Sequence, residues 1–101
     1  MTTYAVTYTY TADTAARDEH RPVHREFLAD LAADGTLLAS GPLPDAEPAS
    51  ALLVLTAGGA EEVRELLRED PFQQQGLVES VEIQEWTTVI GRWVDPSSQG
   101  G

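Results

Sequence analysis

The stretch Ala51-Leu52-Leu53-Val54-Leu55-Thr56 is an unbroken apolar run with turn-forming residues on both sides. Its length and its borders are typical of a buried β-strand. Because successive side chains of a strand point to opposite faces of a sheet, Leu52 and Val54 share one face and Leu53 and Leu55 share the other. The run therefore predicts a sheet that is apolar on both of its faces.

Three further segments have the pattern of strands, namely residues 3–10, 36–40 and 77–88. The first is rich in β-branched and aromatic residues, and the period of two places four large side chains on one face: Tyr4, Val6, Tyr8 and Tyr10. In the second, Leu37 and Leu38 repeat the two-sided apolar pattern. We expect Gly41-Pro42 to end that strand with a turn.

Two helices are predicted between these strands. The first begins at Pro22, whose missing N–H costs nothing at an early helical position, and ends near Asp34 before Gly35. Its apolar stripe consists of Val23, Phe27, Leu28 and Leu31. The second helix covers residues 60–69, and Pro71 to Gly76 adds one more helical turn. The resulting order is β-α-β-β-α-β, the ferredoxin-like arrangement of the α+β class.

Two helices can cover only one face of a four-stranded sheet. An uncovered apolar face of several hundred Å² is unusual for a monomer, so we expect two copies to pack sheet against sheet as a homodimer. The alternative is that the C-terminal part of the chain folds back over this face. Residues 89–94 extend the last strand or form a short additional one.

Length and composition limit the function. The 101 residues are enough for one domain, expected over residues 1–94, with a flexible polar tail over 95–101. A net charge of −11 argues against nucleic acid and anionic membranes as partners. The chain has neither Cys nor a recognisable signal peptide, and its Lys-free, Ala-rich composition is typical of a GC-rich bacterial background. We expect a cytoplasmic protein.

Two histidines could move a proton near neutral pH, His20 and His24. His24 lies at the border of the apolar stripe, so we expect its ring to face the sheet. A partly buried histidine bonded to the backbone is the plainer interpretation of this position. The i, i+4 spacing of the two histidines is also a metal-ligand spacing, but a helix beginning at Pro22 would leave His20 outside it. We therefore predict no metal site.

Asp70 has two possible roles. It is a favoured N-cap for a turn that begins with Pro71, and it could also orient a histidine as the acid of a catalytic site. Phe72 and Trp86 could stack on a flat ligand or pack in the core. A glycine at position 41 would allow a ligand to approach the backbone closely.

Several segments together resemble the YCII-related domain family. They are Arg21-Pro22-Val23-His24-Arg25, Gly35, Ser40-Gly41-Pro42-Leu43, Glu69-Asp70-Pro71-Phe72 and Gly76-Leu77. The similarity extends from about Tyr4 to Trp86. It implies a dimeric α+β barrel built on the ferredoxin-like fold.

The resemblance also implies a site. By position, His24 and Asp70 correspond to the proposed His-Asp dyad of the family, and Ser40, Gly41 and Pro42 line the same cleft. We add Phe72 and Trp86 as candidate substrate-binding residues. The implied activity is cofactor-independent acid–base chemistry, an elimination or isomerisation, on a small cyclic or aromatic organic acid or phenol. The alternative is a non-catalytic small-molecule-binding module in which the two residues form a structural pair.

Overall fold

The computed structural model describes residues 1–94, which form seven elements in succession. These are β1 (Thr2–Tyr10), α1 (Thr14–Ala33), β2 (Leu37–Leu43), β3 (Ser50–Ala57), α2 (Ala60–Leu67), α3 (Pro71–Gln74) and β4 (Val78–Glu85). The strands pair antiparallel in one sheet, in the order β2-β3-β1-β4. This order confirms the predicted ferredoxin-like α+β fold. The predicted tail, residues 95–101, lies outside the described part of the chain.

The core lies between the helices and one face of the sheet. Every second residue of β1 from Tyr4 to Tyr10 is buried there, as the period of two predicted. Leu53 and Leu55 of β3 join them, and α2 contributes Val63 and Leu67. The burial of these side chains is the main favourable contribution to folding.

The start of α1 differs from the prediction. The helix begins eight residues before Pro22, at Thr14, where the Asp13 carboxylate accepts a hydrogen bond from the Ala16 N–H at 3.0 Å. Pro22 therefore lies inside the helix, where it cannot donate to the carbonyl of residue 18. Val23, expected in the apolar stripe, is 47% exposed, and the buried positions of the helix are Arg17, His24, Leu28 and Leu31.

Strand β2 also differs, because it continues through Gly41-Pro42 to Leu43. It is an edge strand, and proline is tolerated at an edge because not every backbone N–H there needs a partner. Ser40 lies opposite Leu53 and Pro42 opposite Ala51, so both face the helices. The predicted strand break is thus part of the sheet and brings the Ser-Gly-Pro segment alongside α1.

The face of the sheet away from the helices has its own apolar surface, which we call the outer face. It consists of Ala39, Leu43, Leu52, Val54 and Trp86, which together with Trp93 from the segment after β4 line a groove of about 310 Å³. Strand β4 ends at Glu85, and residues 86–94 form neither the predicted extension nor a further strand. Within residues 1–94, no helix has the length and apolar content that crossing a membrane requires.

Candidate functional site

A cavity of about 360 Å³ opens between α1 and the edge of the sheet. Helix α1 lines one side of it, and Phe72 of α3 closes an end. The sheet supplies the other side through Tyr10, Ala51, Leu53 and the segment Ser40-Gly41-Pro42. Its walls are therefore mainly apolar, with a small number of polar groups on the helical side, as is usual for a small-molecule site.

His24 lines this cavity, and its ring lies next to the buried carboxylate of Asp70. Its Nδ1 lies 2.8 Å from Oδ1 of Asp70, although 46 positions separate the two residues in sequence. Oδ1 also accepts the Phe72 N–H, and an ionised carboxylate has no proton to donate, so the tautomer that fits this contact carries its proton on Nδ1. Among residues 1–94, Nε2 of His24 has no hydrogen-bond partner. Its lone pair is therefore available to a molecule in the cavity.

Asp70 is fully buried, and both oxygens of its carboxylate accept hydrogen bonds. Oδ1 accepts the backbone N–H of Phe72 at 3.0 Å, which caps α3, and Oδ2 accepts the hydroxyl of Tyr8 at 2.9 Å. Gln73 in turn donates to the Tyr8 oxygen at 3.4 Å. Because burial of a carboxylate is costly unless its oxygens are bonded, these donors are what allow Asp70 to sit beneath His24.

Two buried phenols surround this carboxylate. Burial raises the pKa of Tyr8 far above its usual range, and the negative charge of Asp70 adds to the effect. Burial also raises the pKa of Tyr10 to about 12, again with a contribution from Asp70, while Arg17 and Arg21 oppose it. Both phenols therefore keep their protons over the whole physiological range, and Tyr8 acts as a hydrogen-bond donor.

The ring of His24 is fixed by stacking as well as by hydrogen bonding. It lies parallel to the ring of Phe72, with centroids 3.8 Å apart and planes at 2°. Tyr10 packs edge-on against the other side of this cluster, 5.6 Å from the Phe72 centroid. The imidazole thus has one orientation, with Nδ1 towards Asp70.

Three arginines of α1 line the same cavity, Arg17, Arg21 and Arg25. Arg17 is buried, donates to the carbonyl of Thr11 and the hydroxyl of Thr14, and lies 5.0 Å above the Tyr10 ring. Arg21 pairs with Asp18 at 2.6 Å. Arg17 and Arg25 form no ion pair within residues 1–94, so the cavity has a positive wall in a chain whose net charge is −11.

The structure brings together most of the residues that the sequence selected. His24, Ser40, Gly41, Pro42 and Phe72 all line the cavity, and Asp70 lies directly behind His24. Trp86 does not belong to this group: it is 41% exposed on the outer face, on the opposite side of the sheet.

His20 and His24 both lie in α1, contrary to the expectation that His20 precedes the helix. Within residues 1–94, no three His, Asp or Glu side chains come close enough together to hold a metal ion.

Sequence reasoning missed Tyr8 and the arginines. The sequence pattern placed Tyr8 only among the large side chains on one face of the first strand, and its partner Asp70 is 62 positions away. The arginines have the i, i+4, i+8 spacing of one helix face, a signal that was available in the sequence. It was hidden by placing the helix start at Pro22, since that excludes Arg17 and Arg21.

Comparison with solved structures supports the fold. A dehydrochlorinase of 5-chloro-2-hydroxyhydroquinone from Burkholderia phenoliruptrix, solved with 2,5-dihydroxybenzoquinone, superposes with a TM-score of 0.74 at 20% identity. The match covers 92% of this chain and 99% of that one. An uncharacterised NIPSNAP domain protein from Burkholderia xenovorans gives a TM-score of 0.55 at 17% identity, over 88% and 95% of the two chains.

Comparison of sequences identifies the family. The derivative of benzaldehyde biosynthesis cluster protein C from Emericella nidulans is 36% identical over 75 residues, which span 65% of this chain and 76% of that protein. The family model of the YCII-related domain matches residues 1–87. This match covers most of the chain, and the protein therefore belongs to the YCII-related domain family.

Proposed function

We propose that this protein is a cofactor-independent acid–base enzyme that acts on a small cyclic or aromatic organic acid or phenol. The observation that carries the proposal is the contact between His24 Nδ1 and the buried Asp70 carboxylate at 2.8 Å, in the wall of a cavity large enough for one ring. A histidine oriented by a carboxylate is a common general base. The dehydrochlorinase with the same fold acts on a chlorinated hydroquinone, which is chemistry of this class.

In the proposed reaction, Nε2 of His24 removes a proton from a carbon next to a carbonyl group. Asp70 stabilises the imidazolium that forms. The resulting enolate then either expels a leaving group from the adjacent carbon, which is an elimination, or takes the proton back at another carbon, which is an isomerisation. The walls formed by Phe72, Ser40, Gly41 and Pro42 would hold the substrate ring during this step.

Exchange of substrate hydrogen with solvent tests this proposal without knowledge of the natural substrate. A set of small cyclic keto acids, lactones and hydroxyquinones is incubated with the protein in D2O, and loss of the acidic C–H signal is followed by proton NMR. We expect catalysed exchange for at least one compound and a loss of about 10²-fold or more in His24→Gln. His20→Gln is the matched control and should exchange normally. Equal exchange by His24→Gln would rule out His24 as the base.

A second function is a small-molecule-binding module without catalysis. The observation that favours it is the structural work of Asp70, which caps α3 and anchors Tyr8 irrespective of any reaction. In that case compounds that bind in the cavity would show no exchange with the wild-type protein, and His24→Gln would change only stability and affinity.

We further propose that two copies associate through the outer face. Val54 is buried there, but Leu43, Leu52 and Trp86 are partly exposed, so residues 86–94 leave part of this apolar surface open. A second copy related by a two-fold axis would cover it, since the same patch then meets itself.

A further inference from the structure

We propose that Arg17, Arg21 and Arg25 form a binding site for the anionic group of the substrate, and that the cavity therefore selects ring compounds carrying a carboxylate. This inference rests on the proposed function for its ligand, and it adds the charge requirement and the residues that impose it. The three side chains project from successive turns of α1, about 6 Å apart along the helix axis. His24 lies on the same face, between Arg21 and Arg25.

Arg17 is the strongest evidence for this anion site because it is charged, buried and without a counter-ion. It is 8% exposed, and within residues 1–94 no carboxylate lies within ion-pair distance of it. Its partners there, the Thr11 carbonyl, the Thr14 hydroxyl and the Tyr10 ring, are all neutral. A guanidinium has five N–H donors, so these two hydrogen bonds leave three donors without a partner among residues 1–94.

The distribution of charge over the chain makes this wall exceptional. The protein has 17 acidic residues against six basic ones, and all six basic residues are arginines. Three of the six line this one cavity, while none of its lining residues is acidic. Arg64 and Arg68 of α2 form surface ion pairs with Glu61 and Glu65, and Arg21 pairs in the same way with Asp18 outside the cavity lining. Within residues 1–94, Arg17 and Arg25 form no ion pair, so this wall keeps positive charge without a counter-ion, the arrangement expected where an anion is the missing partner.

The remaining walls limit the anion to one attached to a ring. Leu28, Ala51, Leu53 and Phe72 form an apolar enclosure beside the arginines, and about 360 Å³ is ample for one six-membered ring with substituents. An inorganic anion would leave this apolar surface uncovered. A carboxylate on the ring would instead place its charge at the arginine wall and its ring against the apolar side, next to His24.

The test uses 2,5-dihydroxybenzoate and its neutral isostere 2,5-dihydroxybenzamide, which differ chiefly in charge. Binding to the wild-type protein is measured by isothermal titration calorimetry and located by amide chemical shifts in NMR spectra. We expect the acid to bind at least tenfold more tightly than the amide, with shifts at α1 and at Ser40. Arg21→Gln and Arg25→Gln should each weaken binding of the acid about tenfold and leave that of the amide unchanged. Equal affinities, or no shift at these residues for the acid, would overturn the proposal.

Two controls separate the charge requirement from other effects. Arg68→Gln removes the same charge outside the cavity and should leave the affinity for the acid unchanged, whereas an equal loss there would reduce the effect to net charge and overturn the proposal. Arg17→Lys keeps the buried charge and avoids the folding defect that a neutral residue at this position could cause. Since these measurements need no turnover, failure of the exchange experiment with His24→Gln would remove the proposed catalysis and leave the binding result standing.

Discussion

The imidazole of His24 lies parallel to the phenyl ring of Phe72, 3.8 Å away and with only 2° between the planes. Phe72 follows Asp70 by two positions, so residues 70–72 fix the histidine ring through two separate contacts. Asp70 fixes the ring within its plane through Nδ1, and Phe72 fixes the plane itself. Because Asp70 also caps α3, the same carboxylate sets the position of the phenyl ring. The orientation of His24 therefore depends on the local geometry of residues 70–72.

Replacement of Phe72 should loosen this arrangement. Phe72→Leu keeps most of the buried apolar area and removes the planar contact, so we expect a loss of about 1 kcal/mol in the free energy of unfolding. The His24 ring should gain mobility, which line broadening and relaxation of its Cε1–H signal in NMR spectra would report. Phe27→Leu, a change of the same kind on α1 at a position that is not stacked on His24, is the control. Unchanged relaxation of His24 would show that stacking does not hold the ring.

Asp70→Asn tests the shared carboxylate. An amide has one acceptor oxygen in place of two, so it cannot accept from His24, Phe72 and Tyr8 as the carboxylate does. We expect a loss of roughly 1–3 kcal/mol in the free energy of unfolding by urea. The ¹⁵N shifts of the His24 ring should also report a changed proton position. Asp30→Asn, at an exposed position of α1, should alter neither quantity. Equal stability of the two variants would contradict the role given to Asp70.

Tyr8→Phe isolates the donor on the far side of Asp70. The change removes the hydroxyl that bonds Oδ2 and leaves a buried carboxylate oxygen without that donor, at an expected cost of about 1–3 kcal/mol. Tyr4→Phe is a matched control on the same face of β1, because the Tyr4 hydroxyl makes no hydrogen bond within residues 1–94. Its stability, measured by urea unfolding, should stay close to that of the wild type. A Tyr8→Phe variant as stable as this control would refute the contribution of the Tyr8 bond.

Much of this fold was predictable because burial imposes clear periods on short strands. The alternation of apolar side chains in β1 and the two-sided apolar run of β3 indicate directly which faces of these strands are covered. The start of α1 was not predictable in the same way, since its first turns carry mostly polar residues and Pro22 is usually an early helical residue. The N-cap residue Asp13 determines where the helix starts, and the prediction from Pro22 did not take this signal into account.

The candidate site was predictable in part. His24 and Asp70 were each candidates from residue type and position, but their pairing came from the family resemblance, since no local pattern connects residues 46 positions apart. Trp86, in contrast, was a candidate that the local sequence pattern argues against. The period of two already put it on the same face as Glu82 and Gln84, away from Val81 and Ile83. The strand pattern alone would therefore have excluded it from the cavity.

The buried phenol of Tyr10 predicts loss of stability at high pH. Burial raises its pKa to about 12, against about 10 for an exposed phenol. The folded chain thus holds this proton more tightly than the unfolded chain, so its contribution is complete below pH 10 and is lost as the pH rises towards 12. Urea unfolding at pH 8, 9.5 and 11 should show this decline. Tyr10→Phe should decline less, by on the order of 1 kcal/mol after allowance for solvent screening. An identical decline in both proteins would contradict the assignment.

Leu52→Glu tests the proposed association through the outer face. Leu52 lies on β3 in the apolar groove, and a carboxylate at this position could not be buried against a second copy without a partner. We expect the wild-type protein to sediment at twice the 10.9 kDa of one chain and Leu52→Glu at the mass of one chain. Ala15→Glu adds the same charge at an exposed position of α1 and should remain dimeric.

If the wild-type protein is a monomer over a hundredfold range of concentration, residues 86–94 cover enough of the face without a second copy. Trp93→Ala, which removes part of that segment's contact with the groove, should then weaken the folded monomer.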